Sequence, residues 1–329
     1  IQCKSPPTGV TFITVVVVHL DVSSSHHALM LALVTFILGL SADLNVAAEP
    51  IQCGCVADTN PEECTHVLLA TPCYTASVSE TYLLSVARTF QYFACSTVQI
   101  HIATVPGIAD LPKARGALIY QFLAHPHYSY IFFIDSDVEW RPEMIARFLR
   151  SGHGVVAGMY PKKSLDWHRI IESARASPHL SVEELKSSLL DYPIEFEFED
   201  GKPDTVGRVE TDGDGMARVR RAGAAFMMVS RAAMAKMVST YPELSYLDPP
   251  SQKTHYGFFY NGFSGTEGNR HWVSEDFAFC DRWRQAGGTV WVDMTSGLNH
   301  TGSLKFEGTH WLRRYQAGPL PGKPLRNEL

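Results

Sequence analysis

The feature that most constrains the fold is an alternation of short apolar segments with longer amphipathic ones, which begins at His66. The short segments are rich in β-branched and aromatic residues, whereas the longer ones carry apolar residues at helical spacing. This alternation is typical of βαβ units, in which helices pack on a largely parallel sheet. The sequence therefore predicts an α/β fold with a mixed, mainly parallel sheet flanked by helices.

The same pattern predicts where the individual elements lie. Segment 130–134 is almost purely apolar, as expected for a strand that is buried on both faces. Residues 195–221 are predicted to form a hairpin region that turns at 212–215, where Asp and Gly alternate. Residues 242–268 show no periodicity and are predicted to form a long loop. The other predicted strands are 67–70, 98–105, 154–159 and 289–292, and the predicted helices are 77–93, 111–124, 142–149, 231–241 and 274–286.

The composition is that of an ordinary globular protein with a sizeable core, since 45% of the 329 residues are hydrophobic and 19% are charged. A formal net charge of -6 without long Lys/Arg runs argues against a protein that binds nucleic acid through the field of its whole surface. The seven cysteines include no CxxC pair, so the sequence indicates neither a zinc ribbon nor a complete disulfide framework.

Residues 1–65 differ from the rest of the chain because they contain two apolar runs, 10–18 and 28–40. Neither run reaches the roughly 20 residues that a bilayer span needs. The second has the length of a signal-peptide core, but only one basic residue precedes it. We interpret this part as a leader or anchor-like extension, with a strand and a helix packed on the domain as the alternative. The expected location is therefore cytoplasmic or membrane-associated, or secretory if the apolar run is a signal or anchor.

Two aspartates, Asp135 and Asp137, directly follow the apolar segment 130–134. A turn at the carboxyl end of a strand lets both carboxylates approach one cation, and ligands of open α/β sheets bind at that edge. Such oxygen ligands suit Mn²⁺ or Mg²⁺, which share their coordination sphere with substrate phosphates. Asp212 and Asp214 have the same spacing but lie among glycines, so we interpret them as a solvated turn.

The stretch Tyr-Ile-Phe-Phe-Ile-Asp-Ser-Asp-Val at 130–138 resembles the strand and metal motif of the GT-A-fold, DxD-containing, metal-dependent glycosyltransferases. The resemblance implies a GT-A-like (Rossmann-like) domain over 66–310 and leaves 311–329 as a C-terminal tail. It also implies that the aspartate pair holds Mn²⁺ or Mg²⁺ as a cofactor. The first half of such a domain binds the nucleotide-sugar donor and the second half recognises the acceptor.

The resemblance further assigns residues to the donor. The turn after the first strand would face the nucleoside, and a lysine that follows the last predicted strand would reach the diphosphate. Two basic positions on the helix predicted at 111–124 would also meet the donor, with a solvated helix face as the alternative. The residues assigned to the donor in this way are Thr71, Pro72, Tyr74, Lys113, Arg115, Ser136 and Lys305.

Two late motifs complete the resemblance. His300, followed by Thr and Gly, resembles a His that completes the metal shell, and imidazole is an acceptable third ligand beside two carboxylates. Glu275 and Asp276 resemble an acidic motif at the start of a helix facing the acceptor, although the helix dipole alone stabilises an acid there. In inverting members such a carboxylate is the general base, and we favour Asp276 with Glu275 as the alternative. A late His with a Lys is typical of several retaining members, so the stereochemical outcome stays open.

These motifs predict transfer of a hexose from a nucleotide-diphosphate sugar to a hydroxyl of a glycan, lipid or protein acceptor. The small residues within 223–229 resemble a segment that shapes the sugar pocket, with tight packing as the alternative. Aromatic residues within 256–263, together with Trp272, either stack on sugar rings or anchor the loop. Two other functions stay open: a nucleotidyltransferase that uses the same carboxylates and metal, and a noncatalytic carbohydrate-binding protein.

Overall fold

The architecture is given by a computed structural model, which describes residues 64–302 apart from 165, 183, 186–189 and 198–210. Most of the extension predicted over 1–65, the tail predicted over 311–329, and Lys305 lie outside the described residues. Within the described part of the chain, no helix combines the length and the apolar character needed to cross a membrane.

The first half of the domain alternates strands and helices as predicted. Ser79 begins the first helix by accepting a hydrogen bond from the backbone N–H of Tyr82, and Asp110 does the same for Lys113 in the second. Gly152 ends the third helix in the left-handed region with φ +68°, a conformation that glycine adopts without steric cost. The elements are β1 (Thr65–Cys73), α1 (Glu80–Phe93), β2 (Val98–Pro106), α2 (Leu111–Ala124), β3 (Tyr128–Ile134), β4 (Val138–Glu139), α3 (Pro142–Ser151) and β5 (Val155–Gly158).

The second half contains more strands than predicted. Its elements are α4 (Trp167–Ala176), β6 (Ile194–Phe196), β7 (Met216–Ala222), β8 (Phe226–Ser230), α5 (Arg231–Thr240), a 3₁₀ turn (Pro242–Leu244), β9 (Ser245–Asp248), β10 (Lys253–Tyr256), β11 (Gly262–Ser264), β12 (His271–Val273), α6 (Glu275–Gln285), β13 (Val290–Asp293) and β14 (Asn299–His300).

One eight-stranded sheet dominates the described residues, in the order β2-β1-β3-β8-β5-β13-β7-β6. Strand β1 pairs in parallel with β2 and β3, and β13 pairs in parallel with β5. Strands β7 and β8 run against the other six, so the sheet is mixed and mainly parallel in strand direction, which confirms the predicted fold class. The carboxyl ends of β1, β3 and β5 therefore meet at the same edge.

Strand β3 is the centre of the core because both of its faces are covered. Ile131 and Phe133 belong to the cluster that contains α2, α5 and α6, whereas Phe132 and Ile134 belong to the cluster that contains α1 and α3. All four side chains are 0% exposed, and burying each contributes about 1.5–3 kcal/mol. The purely apolar segment was therefore correctly predicted as a strand buried on both faces.

The long loop predicted over 242–268 is wrong in part. Strands β9 and β10 form an antiparallel hairpin there, and β11 pairs with β12. Each of these strands has three or four residues, which is too short for an alternation of apolar and polar residues to be recognised. The hairpin region predicted over 195–221 does contain the antiparallel pair β6 and β7, although residues 198–210 of the connection lie outside the described part.

Candidate functional site

A cleft of about 560 Å³ lies at the edge where β1, β3 and β5 end. Its walls come from the turns that follow these strands and from β14, so residues far apart in sequence meet there. Among the lining residues are Pro72, Tyr74, Asp135, Ser136, Asp137 and His300. The volume lies within the range of about 300–1,000 Å³ that is usual for ligand sites.

A turn directly after β3 carries the aspartate pair. The backbone N–H of Asp135 donates to the carbonyl of Ala225 at 3.0 Å, and the N–H of Val138 donates back to the carbonyl of Asp135 at 3.2 Å. The carbonyl of Ser136 accepts from the N–H of Ser79 at 2.8 Å, which fastens the turn to the start of α1. Because the chain turns here instead of continuing as a strand, Asp135 and Asp137 both line the cleft.

His300 reaches the aspartates through a short strand pairing. It lies opposite Val138 in the antiparallel pair of β14 and β4, although the two are far apart in sequence. Its Nε2 lies 3.2 Å from Oδ1 of Asp137, and its Nδ1 lies 2.9 Å from the carbonyl oxygen of Pro161. The motif that contains His300 and the motif that contains the two aspartates therefore meet in one place.

The Pro161 contact fixes the chemistry of the His300 ring. A carbonyl oxygen only accepts hydrogen bonds, so Nδ1 carries a proton and donates it. In a neutral ring Nε2 then directs a lone pair at the carboxylate of Asp137, and the arrangement needs a second proton or a shared cation between the two atoms. Histidines that ligate metals characteristically donate their other N–H to a backbone carbonyl or a carboxylate.

The donor set fits a divalent ion, because two carboxylates and an imidazole suit Mn²⁺ or Mg²⁺. Among the described residues, Asp135, Asp137 and His300 do not bring one ligand atom each within 4.8 Å of one another. Oδ1 of Asp135 lies instead 3.4 Å from Nη2 of Arg115. For all three side chains to hold one ion, Asp135 would therefore have to rotate, or a water would have to bridge it to the ion.

Asp137 also contacts Lys163, a residue that was not predicted. The ammonium of Lys163 forms an ion pair with Oδ2 of Asp137, while His300 faces Oδ1. Burial on its own would raise the pKa of Asp137, but its contacts with His300 and Lys163 outweigh burial and lower it. The carboxylate of Asp137 therefore stays ionised, as a metal ligand must be.

Arg115 is the buried hub behind the cleft, with 1% of its side chain exposed. Its Nη1 donates to Oδ1 of Asp276 at 2.6 Å and to Oε1 of Glu275 at 3.2 Å, and its Nη2 contacts Asp135. The guanidinium also lies 5.0 Å from the ring centroid of Phe259. One cation thus connects α2, the turn after β3 and the start of α6.

Burial affects the carboxylates that surround Arg115. Burial and the neighbouring charge of Asp276 raise the pKa of Glu275, with Arg115 acting in the opposite direction. Burial likewise raises the pKa of Asp135, where Arg115 again opposes and Asp276 adds to the increase. Glu275 and Asp276 are not among the residues that line the cleft, and they reach it through Arg115 and Asp135.

Apart from the buried Arg115, the residues assigned to the donor separate into three groups. Pro72, Tyr74 and Ser136 line the cleft. Thr71 is buried, and its hydroxyl lies 2.5 Å from that of Tyr82 in the core. Lys113 forms an ion pair with Asp248 at 3.4 Å outside the cleft lining, and Lys305 lies outside the described residues. Their roles in donor binding stay predictions.

The cleft is also lined by three residues that follow β5 and were not predicted from the sequence: Tyr160, Lys162 and Lys163. The available signal was a pair of lysines directly after an apolar strand, at the edge where Asp135 also lies. Tyr160 is 6% exposed, and its ring meets His300 edge-on at a centroid distance of 5.3 Å. Burial, together with Asp276 and Asp135, raises the pKa of the Tyr160 hydroxyl, which therefore stays protonated.

The small-residue segment packs against this tyrosine. A Cβ on Gly223 would lie 2.0 Å from the hydroxyl oxygen of Tyr160 and 2.8 Å from Cγ of Pro193. Ala224 and Ala225 are buried in the core. Tight packing is thus part of the reason for small residues here, and it fixes a residue of the cleft wall.

The second aspartate pair forms a turn, as predicted. Oδ1 of Asp212 accepts hydrogen bonds from the N–H groups of Asp214 and Met216, each at 2.9 Å. Asp214 is largely exposed. This pair ends no sheet strand at the cleft, which distinguishes it from Asp135 and Asp137.

No protein-family model and no curated protein sequence matches the chain. Among solved structures, A197 from STIV aligns with a TM-score of 0.40 and 13% identity, over 73% of this chain and 87% of that chain. A 4-diphosphocytidyl-2C-methyl-D-erythritol synthase from Anaerococcus prevotii DSM 20548 aligns with a TM-score of 0.29 and 9% identity, over 57% and 82%. A putative glucose-1-phosphate thymidylyltransferase from Bacillus anthracis aligns with a TM-score of 0.33 and 9% identity, over 76% and 92%. These similarities are too remote to support an activity.

Proposed function

We propose that this chain is a metal-dependent glycosyltransferase that moves a hexose from a nucleotide-diphosphate donor to a hydroxyl of a glycan, lipid or protein acceptor. The observation that carries the proposal is the pairing of His300 with Asp137. Its Nδ1 donates to Pro161 and its Nε2 faces the carboxylate at 3.2 Å, next to Asp135 in the same cleft. This arrangement suits a shared divalent cation.

Asp135, Asp137 and His300 would hold Mn²⁺ or Mg²⁺, which supplies charge that stabilises a departing diphosphate. Lys162 and Lys163 line the same cleft, and their ammonium groups suit the phosphate oxygens. This assigns to the loop after β5 the diphosphate contact that the sequence assigned to Lys305.

The nucleoside would lie against the turn after β1. Tyr74 is 62% exposed and lines the cleft beside Pro72, so its ring is available to stack on a base. Ser136 lies between the two aspartates in the same wall. Thr71, in contrast, would act indirectly, by holding the turn through its hydrogen bond with Tyr82.

The acceptor hydroxyl would lose its proton to Asp276 or Glu275 at the start of α6. Burial and the charge of Asp276 raise the pKa of Glu275, which favours it as the base, whereas Asp276 is held by Arg115 at 2.6 Å. Arg115 is a positioning residue in this scheme, because its guanidinium is buried among carboxylates and stands back from the cleft.

Aromatic residues beside this helix separate into anchors and exposed rings. Phe258 and Phe259 are 0% exposed and anchor the segment. Phe263 and Trp272 face each other across β11 and β12 and are 69% and 61% exposed. We propose that this exposed pair contacts the acceptor, because sugar rings stack on aromatic faces.

The test is identification of the released product. The chain is incubated with nucleotide-diphosphate sugars and, separately, with nucleoside triphosphates and sugar phosphates, with and without Mn²⁺. We expect Mn²⁺-dependent release of a nucleoside diphosphate from one or two donors, and loss of that release in Asp137→Asn. Release of pyrophosphate would identify a nucleotidyltransferase instead. Absence of donor turnover in the parent chain, together with sugar binding that Asp135→Ala/Asp137→Ala leaves unchanged, would identify a noncatalytic carbohydrate-binding protein.

A further inference from the structure

Three histidines cluster at the edge of the sheet opposite to the cleft. His66 is near the start of β1, and His127 directly precedes β3. His101 lies on β2, the edge strand that pairs with β1. Because the three strands are parallel, their amino ends lie together, away from the aspartates at the carboxyl ends. The cluster is therefore separate from the site proposed above.

The ring nitrogens of this cluster have the spacing of metal ligands. Nδ1 of His66 lies 3.1 Å from Nε2 of His101. One nitrogen from each of the three rings lies within 4.8 Å of the other two. In a tetrahedral zinc site with Zn–N lengths of about 2.0–2.1 Å, two ligand nitrogens are about 3.3 Å apart. The first pair, at 3.1 Å, is close to this separation, and the nitrogen of His127 lies within 4.8 Å of both.

His127 is the ligand that can move, and its loop is fixed at both ends. The His127 side chain is exposed, whereas His66 and His101 are half-buried. Arg231 binds the backbone carbonyls of His125 and Tyr128 on either side of it. The Arg231 charge disfavours a cation nearby, so the site depends on three neutral imidazoles rather than on a favourable field.

We infer that His66, His101 and His127 form a zinc-binding site with water in the fourth position. Three imidazoles without a carboxylate select a borderline-soft transition ion such as Zn²⁺ over Mg²⁺ or Mn²⁺, which favour oxygen ligands. The bound ion joins β1, β2 and the loop before β3, and so stabilises the amino edge of the sheet.

Zinc binding by the full chain tests this inference, measured by equilibrium dialysis in an Asp135→Asn/Asp137→Asn background that disables the other site. We expect one zinc ion per chain. We expect His127→Gln to weaken binding by about tenfold or more. The matched control His271→Gln, an exposed histidine on β12, should bind zinc like its parent.

Thermal unfolding provides a second readout that does not depend on activity. Zinc should raise the Tm of the parent and of His271→Gln, and should raise that of His127→Gln clearly less, since the stabilisation by a ligand falls as its binding weakens. His127 is exposed, so its replacement leaves the core intact, and His101→Gln serves as a second variant. Zinc binding that persists at full strength in both His127→Gln and His101→Gln, for example on Cys95, would overturn the inference. So would the absence of bound zinc in the parent.

Discussion

At the scale of single residues, Asp137 has a different partner at each of its two carboxylate oxygens. One of its oxygens faces the imidazole of His300 and the other pairs with the ammonium of Lys163. A metal ion that binds Asp137 competes with Lys163 for the carboxylate, and the released ammonium then points into a cleft proposed to hold a diphosphate. Lys163 is thus expected to contribute to donor binding and to oppose metal binding.

Replacing Lys163 by Met separates these two effects. We expect the KM for the donor to rise about tenfold or more, because a hydrogen bond to a charged group contributes about 1.5–3 kcal/mol. The Mn²⁺ concentration for half-maximal activity should stay the same or fall. Steady-state kinetics measure both values, with the exposed Lys253→Met as the control. An unchanged KM together with a higher Mn²⁺ requirement would contradict this role.

The dependence of activity on pH tests the base. A base has to be deprotonated, and the pKa of Glu275 is raised by burial and by Asp276. Activity should therefore be lost as pH falls through a value above the ordinary pKa of about 4.3 for Glu. Profiles of kcat/KM against pH measure this, and Glu275→Gln should abolish the reaction.

The neighbouring Asp276 supplies the control. Asp276→Asn removes a negative charge beside Glu275, so it should lower the pKa of Glu275 and move the acidic limb to lower pH. If Asp276→Asn abolishes activity while Glu275→Gln retains it, Asp276 is the base, as first expected from the sequence.

Residues of the candidate site could be predicted from the sequence only where the strand pattern indicated their position in the fold. Asp135 and Asp137 follow an apolar strand, and His300 follows the last strand of the sheet, so their meeting at one edge was predictable. The surroundings of Arg115 were not, since a basic residue on a helix is usually solvated. Its carboxylate partners Glu275 and Asp276 lie 160 and 161 positions away, and only the folded chain brings them together.

At the scale of elements, the packing of Tyr160 on Gly223 joins the loop after β5, which lines the cleft, to the turn between β7 and β8. Gly223→Ala should destabilise the fold by about 1–3 kcal/mol, because the added methyl overlaps the Tyr160 hydroxyl. Urea denaturation measures the change. In a Tyr160→Phe background the cost should fall but not vanish, since Pro193 and the ring carbon remain at 2.8 Å. Equal costs in both backgrounds would show that this contact is not the constraint.

Elements with a strong periodic pattern were predictable, and short ones were not. Helix α2 has the predicted bounds, and β3 differs only by two residues at its start. Strands β9 to β12 were missed because three or four residues show no period. Their pairing depends on contacts with neighbouring elements, such as that of β10 with α2, which no local pattern records.

At the scale of the whole molecule, Arg115 connects α2, β3 and α6 across the core. Arg115→Met should lower the free energy of unfolding by about 3 kcal/mol, because it leaves three partly buried carboxylates without a cation. Chemical denaturation measures the loss. Arg218→Met, at a 63% exposed side chain whose exposed partner Glu197 lies 3.9 Å away, should change stability little. Equal effects of the two substitutions on the free energy of unfolding would show that Arg115 does not have this structural role.

In the proposed mechanism, Asp135, Asp137 and His300 together hold a divalent ion against a nucleoside diphosphate. Mn²⁺ binding, measured by the loss of the free-ion paramagnetic resonance signal, tests it most directly in a His127→Gln background that removes the histidine cluster. We expect one Mn²⁺ per chain, bound more tightly when a nucleoside diphosphate is present, and at least about tenfold weaker binding in His300→Gln. Mn²⁺ binding that is unchanged by His300→Gln and Asp137→Asn, or that does not respond to any nucleoside diphosphate, would show that these residues do not form the proposed metal site.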